Sequence, residues 1–156
     1  ISTLLNPQMV IADEPTSALD VSTQKEVIKM IFDLLDKGIF STMIFITHEL
    51  PLLYHVADNI AIMYAGEIVE KGTAEQVVKD PRHPYTKALM GAMLSSEKSQ
   101  RTRKPVAIEG APPSLAQKIV GCRFADRCTL ARPECKKNNQ NIRMVGDREV
   151  RCEYAQ

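Results

Sequence analysis

Apolar residues run unbroken through Met9-Val10-Ile11-Ala12 and then give way to Asp13 and Glu14. A continuous run of this length suits a strand of a parallel sheet, buried on both faces. Pro15 ends it soon after, because proline has no N–H for the ladder. From Val21 to Lys37 the apolar positions fall at Val27, Ile28, Ile31, Leu34 and Leu35, a helical stripe. Asp20 can cap its start, Thr23 with Glu26 offers an alternative capping box one turn later, and Gly38 is a natural stop. Met43 to Thr47 repeats the apolar-strand pattern, and Pro51 fits the first turn of a short helix running to about Ala57. Asn59–Tyr64 and Glu67–Gly72, joined through Ala65-Gly66, predict a hairpin. Thr73 and Gln76 form a capping-box pattern for a helix ending before Pro81. Pro84 opens a further helix with Tyr85, Ala88, Leu89, Ala92 and Met93 on one face, and Ile1 to Leu5 reads as the tail of another.

The pattern changes after residue 94. Residues 95–105 carry Lys98, Arg101, Arg103 and Lys104 with almost nothing apolar, and read as a solvated linker. Residues 106–156 hold all four cysteines, several Pro and Gly, and few helical stripes, as expected of a small separate module. The 156 residues allow one ordinary domain plus such an appendage. Because the chain opens on Ile1, it is expected to be a piece of a longer protein. Apolar residues make up 44% and charged ones 25%, the balance of a soluble globular protein. Trp is absent and aromatics are 5%, so packing is expected to rest on Ile, Val, Leu and Met. A net charge of +1 gives no electrostatic case for nucleic acid. No run approaches the roughly 20 apolar residues of a membrane-spanning helix. No leader pattern opens the chain, so a cytosolic location is expected.

Asp13 and Glu14 fall at the carboxyl end of a predicted parallel strand, where open α/β sheets hold their ligands. Two acids there can divide the work, one holding a metal ion and the other activating a water. Taken alone, an Asp-Glu pair is as readily two solvent-facing acids. His48 ends the next predicted strand, one strand–helix–strand step away. His55 and His83 have no such support; His55 reads as helix surface and His83 as shaping the turn before Pro84. Cys122, Cys128, Cys135 and Cys152 are spaced C-x5-C-x6-C-x16-C. Four thiolates suit a tetrahedral zinc or a cubane iron–sulfur cluster. Structural zinc sites favour tight C-x2-4-C pairs, which are missing here. Four cysteines are also compatible with disulfide bridges, which a cytosolic setting disfavours, or with free thiols. A segment so poor in core residues is expected to need a staple to fold.

Met9 to Asp20, carrying Asp13-Glu14-Pro15-Thr16-Ser17-Ala18-Leu19-Asp20, resembles the Walker B segment and D-loop of an ABC-type ATPase. Thr47-His48-Glu49 is similar to that family's switch-histidine segment. His83-Pro84-Tyr85-Thr86-Lys87-Ala88-Leu89, Gly110-Ala111-Pro112-Pro113-Ser114-Leu115 and Gly121-Cys122-Arg123-Phe124-Ala125-Asp126-Arg127-Cys128 resemble the C-terminal extension of oligopeptide and dipeptide importer ATPases. The resemblance implies an α/β fold: a partial parallel sheet of a P-loop ATPase domain over residues 1–94, followed by the cysteine-rich module. It implies that Asp13 binds Mg²⁺, that Glu14 polarises the attacking water and that His48 contacts the γ-phosphate of ATP. It also implies that Ser17 and Asp20 face a second ATPase subunit, and that the four cysteines hold a [4Fe-4S] cluster, with zinc the alternative. Membrane permease subunits would be the other partners, on the cytoplasmic face, with no nucleic acid. Many relatives carry a His where this chain has Glu149, so no His ligand is assigned there. No G-x-x-x-x-G-K-[ST] loop and no glycine-rich signature occur in the 156 residues, so this chain alone is expected not to hydrolyse ATP. The upstream strands would be missing too, leaving an unpaired apolar strand edge. Two rival readings are a non-catalytic metal-binding and interaction module, and a soluble ABC ATPase of translation or repair.

Overall fold

The computed structural model describes residues 7–94, 108–114, 116 and 118–155. The helix tail expected over Ile1–Leu5 and the basic linker over 95–105 lie outside the described residues, as does the side chain of His55. The fold is mixed α/β, and the chain forms two compact units, Ile1–Pro51 and Leu52–Gln156.

The first unit contains β1 (Met9–Asp13), α1 (Val21–Asp36) and β2 (Thr42–Ile46), and ends in the first residues of α2 (Leu50–Val56). β1 and β2 pair in parallel, from Met9 opposite Thr42 to Asp13 opposite Ile46. α1 begins at Val21 because Asp20 caps it: one carboxylate oxygen accepts the N–H groups of Ser22 and Thr23. The Thr23 hydroxyl, the start of the alternative box, instead donates to the other Asp20 oxygen at 2.7 Å. Gly38 follows the helix in the left-handed region (φ +68°). The expectation that these strands are buried on both faces is not met. Met9, Ile11, Ile44 and Ile46 stand on one face, 46–60% exposed, while Val10, Ala12, Met43 and Phe45 on the other are half-buried. A two-stranded parallel sheet with cover on one side alternates in exposure along each strand, whatever its uniform hydrophobicity.

The second unit is built on an antiparallel sheet. Its strands are β3 (Asn59–Tyr64), β4 (Glu67–Thr73), β5 (Arg143–Val145) and β6 (Arg148–Val150), in the order β3-β4-β6-β5. Helices α3 (Ala74–Lys79) and α4 (Pro84–Leu94) follow the hairpin. Ala65 and Gly66 both have positive φ, 48° and 83°, as a two-residue turn matched to strand twist demands. Thr73 and Gln76 complete the capping box in both directions, at 3.3 and 2.9 Å. Ile60, Ile62 and Tyr64 alternate into the core with Val69, Val77, Met90, Phe124 and Val150. Aromatic rings sit at its centre, contrary to the composition-based expectation. Tyr64 lies 4.6 Å from Tyr85 and 5.2 Å from Phe124, centroid to centroid. Few aromatics suffice when each buries so much area and they cluster.

The cysteine-bearing segment enters this same sheet. β6 pairs with β4 through Glu70 opposite Val150 and Lys71 opposite Glu149, and Glu149 takes a 3.3 Å ion pair from Lys71. Composition separates residues 106–156 from the hairpin, whereas backbone pairing joins them. A buried carboxylate anchors the junction. Glu70, fully buried, accepts the N–H groups of Arg82 and His83 at 2.8–3.1 Å and lies 3.7 Å from the Arg148 guanidinium. Arg148 also donates to the carbonyls of Gln76 and Asp80. Such a charge is tolerated in the interior because it is paired and hydrogen-bonded.

Candidate functional site

The loop after β1 brings the first set of chemical groups together. Asp13 closes the strand as an exposed carboxylate. Glu14 follows with φ +45°, a left-handed conformation rarely taken by a residue with a long side chain. Its N–H still donates to the carbonyl of Ile46 at 2.9 Å, so the ladder runs on while the backbone turns. Strain of this kind costs roughly 1–3 kcal/mol and gathers at functional positions. The turn aims the Glu14 carboxylate at His48, just past the end of β2. Nδ1 of His48 stands 2.9 and 3.0 Å from the two carboxylate oxygens. This hydrogen bond, with the charge of Glu14, raises the His48 pKa above its ordinary value. The imidazole remains open to solvent, 74% exposed.

The next residues are braced from below. The Ser17 N–H and hydroxyl both donate to the Glu14 carbonyl, at 3.3 and 3.0 Å, and the Leu19 N–H donates to the Thr16 carbonyl. Asp20 is committed to capping α1, and its hydrogen bonds from Thr23 and Ser22 lower its pKa. Gln24 of α1 carries no mark in the sequence, since a glutamine one turn into a helix is ordinary. Its side-chain amide donates to the Thr16 carbonyl (3.3 Å) and to the Glu49 carboxylate (2.9 Å), tying the loop after β1 to the loop after β2. Thr47 gains a role as well, its hydroxyl accepting the Glu49 N–H at 3.1 Å. Asp13 thus closes β1, while Glu14, Ser17, Asp20 and His48 belong to the loops that leave the carboxyl ends of two adjacent parallel strands.

A second cluster forms in the other unit. Cys122, Cys128, Cys135 and Cys152 line one small cavity, together with His83, Phe124, Leu130 and Tyr154. The Arg132 N–H donates to the Cys135 sulfur at 3.5 Å, and hydrogen bonding from the backbone at Phe124, Leu130 and Tyr154 acts to lower the pKa of Cys122, Cys128 and Cys152 in turn. Burial pushes the thiols of Cys122, Cys128 and Cys152 up, and these amide donors pull the other way. Among the described residues, no three His, Cys, Asp or Glu side chains are grouped to hold a metal ion. Gly121 makes the approach of the first and third cysteines possible. With φ +80°, it lies where a Cβ would come within 2.5 Å of the Cys135 carbonyl oxygen. The Cys122 N–H donates to that same carbonyl at 2.7 Å. His83 is 1% exposed and held neutral, burial pushing its pKa down to about 4. Its Nδ1 accepts the Tyr85 N–H at 3.1 Å, so it does shape the turn before α4, and its ring also bonds the Arg151 backbone.

Comparison with known proteins fits both regions. Residues 69–135 match the family described as oligopeptide/dipeptide transporter, C-terminal region. Over 97% of its length the chain is 40% identical to the dipeptide transport ATP-binding protein DppD of Caldanaerobacter subterraneus subsp. tengcongensis, covering 46% of that protein. Over 81% of its length it is 46% identical to the oligopeptide transport ATP-binding protein OppD of Bacillus subtilis, covering 35% of it. OppF of Salmonella typhimurium, also an oligopeptide transport ATP-binding protein, is 41% identical over 85% of the chain and 40% of its own length. The chain is thus similar to ATP-binding proteins of oligopeptide and dipeptide transport systems, and residues 69–135 match the C-terminal region of that transporter family. It spans about half the length, or less, of the curated relatives it matches. No helix among the described residues is long and apolar enough to cross a membrane.

Proposed function

We propose that this chain is the C-terminal part of an ATPase subunit that powers peptide import, and that it carries the water-activating side of the nucleotide site. The observation that carries this reading is the Glu14–His48 pair, 2.9 Å apart at the carboxyl ends of parallel strands and next to Asp13. Glu14 is the base that polarises the attacking water. In the resting arrangement His48 holds its carboxylate, and the backbone turn at Glu14 keeps it at the mouth of the sheet. His48, raised in pKa and open to solvent, is placed to meet the γ-phosphate of the incoming nucleotide. Asp13 is one carboxylate, which suits the Mg²⁺ that arrives with ATP, because that ion usually keeps phosphate oxygens and waters for its other positions. Ser17 to Asp20 form a loop braced by hydrogen bonds to the Glu14 and Thr16 carbonyls, which we assign to contact with a second ATPase subunit. Permease subunits in the membrane complete the assembly, with the chain peripheral on the cytoplasmic face.

The cysteine-bearing segment is read as the peptide-importer C-terminal module, its four thiols the ligands of one [4Fe-4S] group that staples the segment. Support comes from their common cavity, which brings four thiols, the donor set of such a cluster, to one place. The wide spacing of these cysteines suits the larger cluster better than zinc, whose structural sites favour tight C-x2-4-C pairs.

Hydrolysis by the complete subunit tests the nucleotide reading. Glu14→Gln is expected to lower turnover about 10²–10⁴-fold, the usual cost of losing a general base, while ATP binding persists. Near-normal turnover in that variant would remove Glu14 from the role.

A further inference from the structure

The loop that carries Cys152 is held by a side chain that touches no sulfur. Arg143, in β5, donates through Nε to the Cys152 carbonyl at 2.8 Å. Through Nη2 it donates to the carbonyls of Glu153 (2.9 Å) and Ala155 (2.8 Å). A trans peptide group is planar, so its C=O and N–H point in opposite directions. Once the Glu153 carbonyl is turned to Arg143, the Tyr154 N–H faces the other way, onto the Cys152 sulfur. The preceding peptide obeys the same rule. Its carbonyl, from Cys152, is on Arg143, and its N–H, from Glu153, donates to Oε1 of Gln140 at 3.0 Å. Arg143 is itself fixed by strand register, opposite Val150, in a hairpin closed at Gly146 (φ +64°). Arg151 completes the frame, donating to the carbonyls of Ile68 and Gln140.

We infer that Arg143 is a positioning residue for the cysteine site: it fixes two successive peptide groups, the second of which turns its N–H, from Tyr154, toward Cys152, and so sets where that sulfur stands in the cavity. The inference rests on the reading of the four cysteines as ligands of one group. Lysine cannot replace it. A planar guanidinium reaches three carbonyls from one fork, whereas an ammonium is a single point charge on a flexible stem. Charge alone would be preserved in Arg143→Lys, so that variant separates position from charge.

The test loads the chain anaerobically with ferrous iron and sulfide, and compares wild type with Arg143→Lys and Gln140→Leu. Wild type is expected to take up about four irons. Arg143→Lys is expected to give a changed visible spectrum and a shifted midpoint potential, with iron falling toward three per chain as Cys152 is lost as a ligand. Gln140→Leu, which frees the opposite edge of the same peptide, is expected to move the spectrum the same way by less, and it decides the matter should Arg143→Lys fail to fold. Wild-type iron, spectrum and potential in the variants would overturn the inference. If wild type takes up no iron, the ligand reading falls, and the metal-free chain then decides the positioning role. There, the Tyr154 amide should exchange its hydrogen on the order of tenfold faster in Arg143→Lys, as expected for loss of a charge-assisted hydrogen bond, with β3 and β4 amides unchanged. Unaltered exchange at Tyr154 would overturn it.

Discussion

Two histidines in this chain are pushed in opposite directions, each by its own surroundings. His48 is exposed beside the Glu14 carboxylate, and its pKa rises. Its contribution to the loop is therefore present at low pH and is lost as pH climbs through the raised value. His83 is buried without a charged partner on its ring, and its pKa falls from 6.5 to about 4. In the unfolded chain His83 takes a proton near pH 6.5, while in the folded chain it does so only near pH 4. Between those values the unfolded state binds more protons, so stability must fall as pH falls. The interval corresponds to about 3 kcal/mol for this residue. Urea denaturation from about pH 7.5 to about pH 4.5 is expected to show that loss in wild type. Its slope with pH should be shallower in a folded His83→Gln variant, and equal slopes would refute the assignment. The sequence marks Asp13, Glu14 and His48 well because a local apolar run and one strand–helix–strand step fix their address. It marks His83 only as a turn residue, since its burial depends on Phe124, forty-one positions later.

Elements with local causes are readable from sequence, and those set by distant pairing are not. The Asp20 cap, the Ala65-Gly66 turn and the Thr73/Gln76 box all involve neighbours within three residues. The short strands β5 and β6 have no signature of their own. Three residues each, with Arg143 and Arg148 among them, they exist because β4 offers an edge and because arginines collect loop carbonyls. The cysteine-bearing segment reads in sequence as poor in core, yet Phe124, Cys135 and Val150 within it are buried. Its tightest constraint is Gly121. An added methyl group there meets the backbone of Cys135 and Lys136 at 2.5–2.6 Å, on a residue with φ +80°. Gly146→Ala meets no atom within 4 Å and bears only the conformational penalty at φ +64°. Gly121→Ala is thus expected to destabilise by about 2 kcal/mol or more, and Gly146→Ala by about 1 kcal/mol. Thermal melts of the two variants side by side check this, and equal losses would show that the close approach at Gly121 is immaterial.

At the scale of the whole chain, the first unit keeps an apolar face open. Met9 and Ile11 of β1 and Ile44 and Ile46 of β2 share one face, Ile11 opposite Ile44, with exposures of 50%, 60%, 46% and 47%. Scattered exposed apolar residues are ordinary, but four neighbours on one sheet face form a patch that water disfavours. β1 and β2 form a two-stranded sheet, so each strand also presents one unpaired edge among the described residues. Unpaired edges template further strands, and parallel strands with both faces covered are the usual outcome in α/β proteins. A chain that spans about half the length of its relatives is therefore expected to cover this face with another copy of itself when it is studied alone. Light scattering should give an average mass that rises with concentration. The substitutions Ile11→Lys and Ile44→Glu alter only exposed positions, opposite each other on the patch. Together they should return the chain toward monomer while leaving the helical signal of α1 in place, because the half-buried face of Val10, Ala12, Met43 and Phe45 is untouched. A wild-type chain that stays monomeric at high concentration would mean that the patch is too small to drive association. Association that survives both charges would move the cause to the strand edges, which backbone groups supply and side-chain charge does not remove.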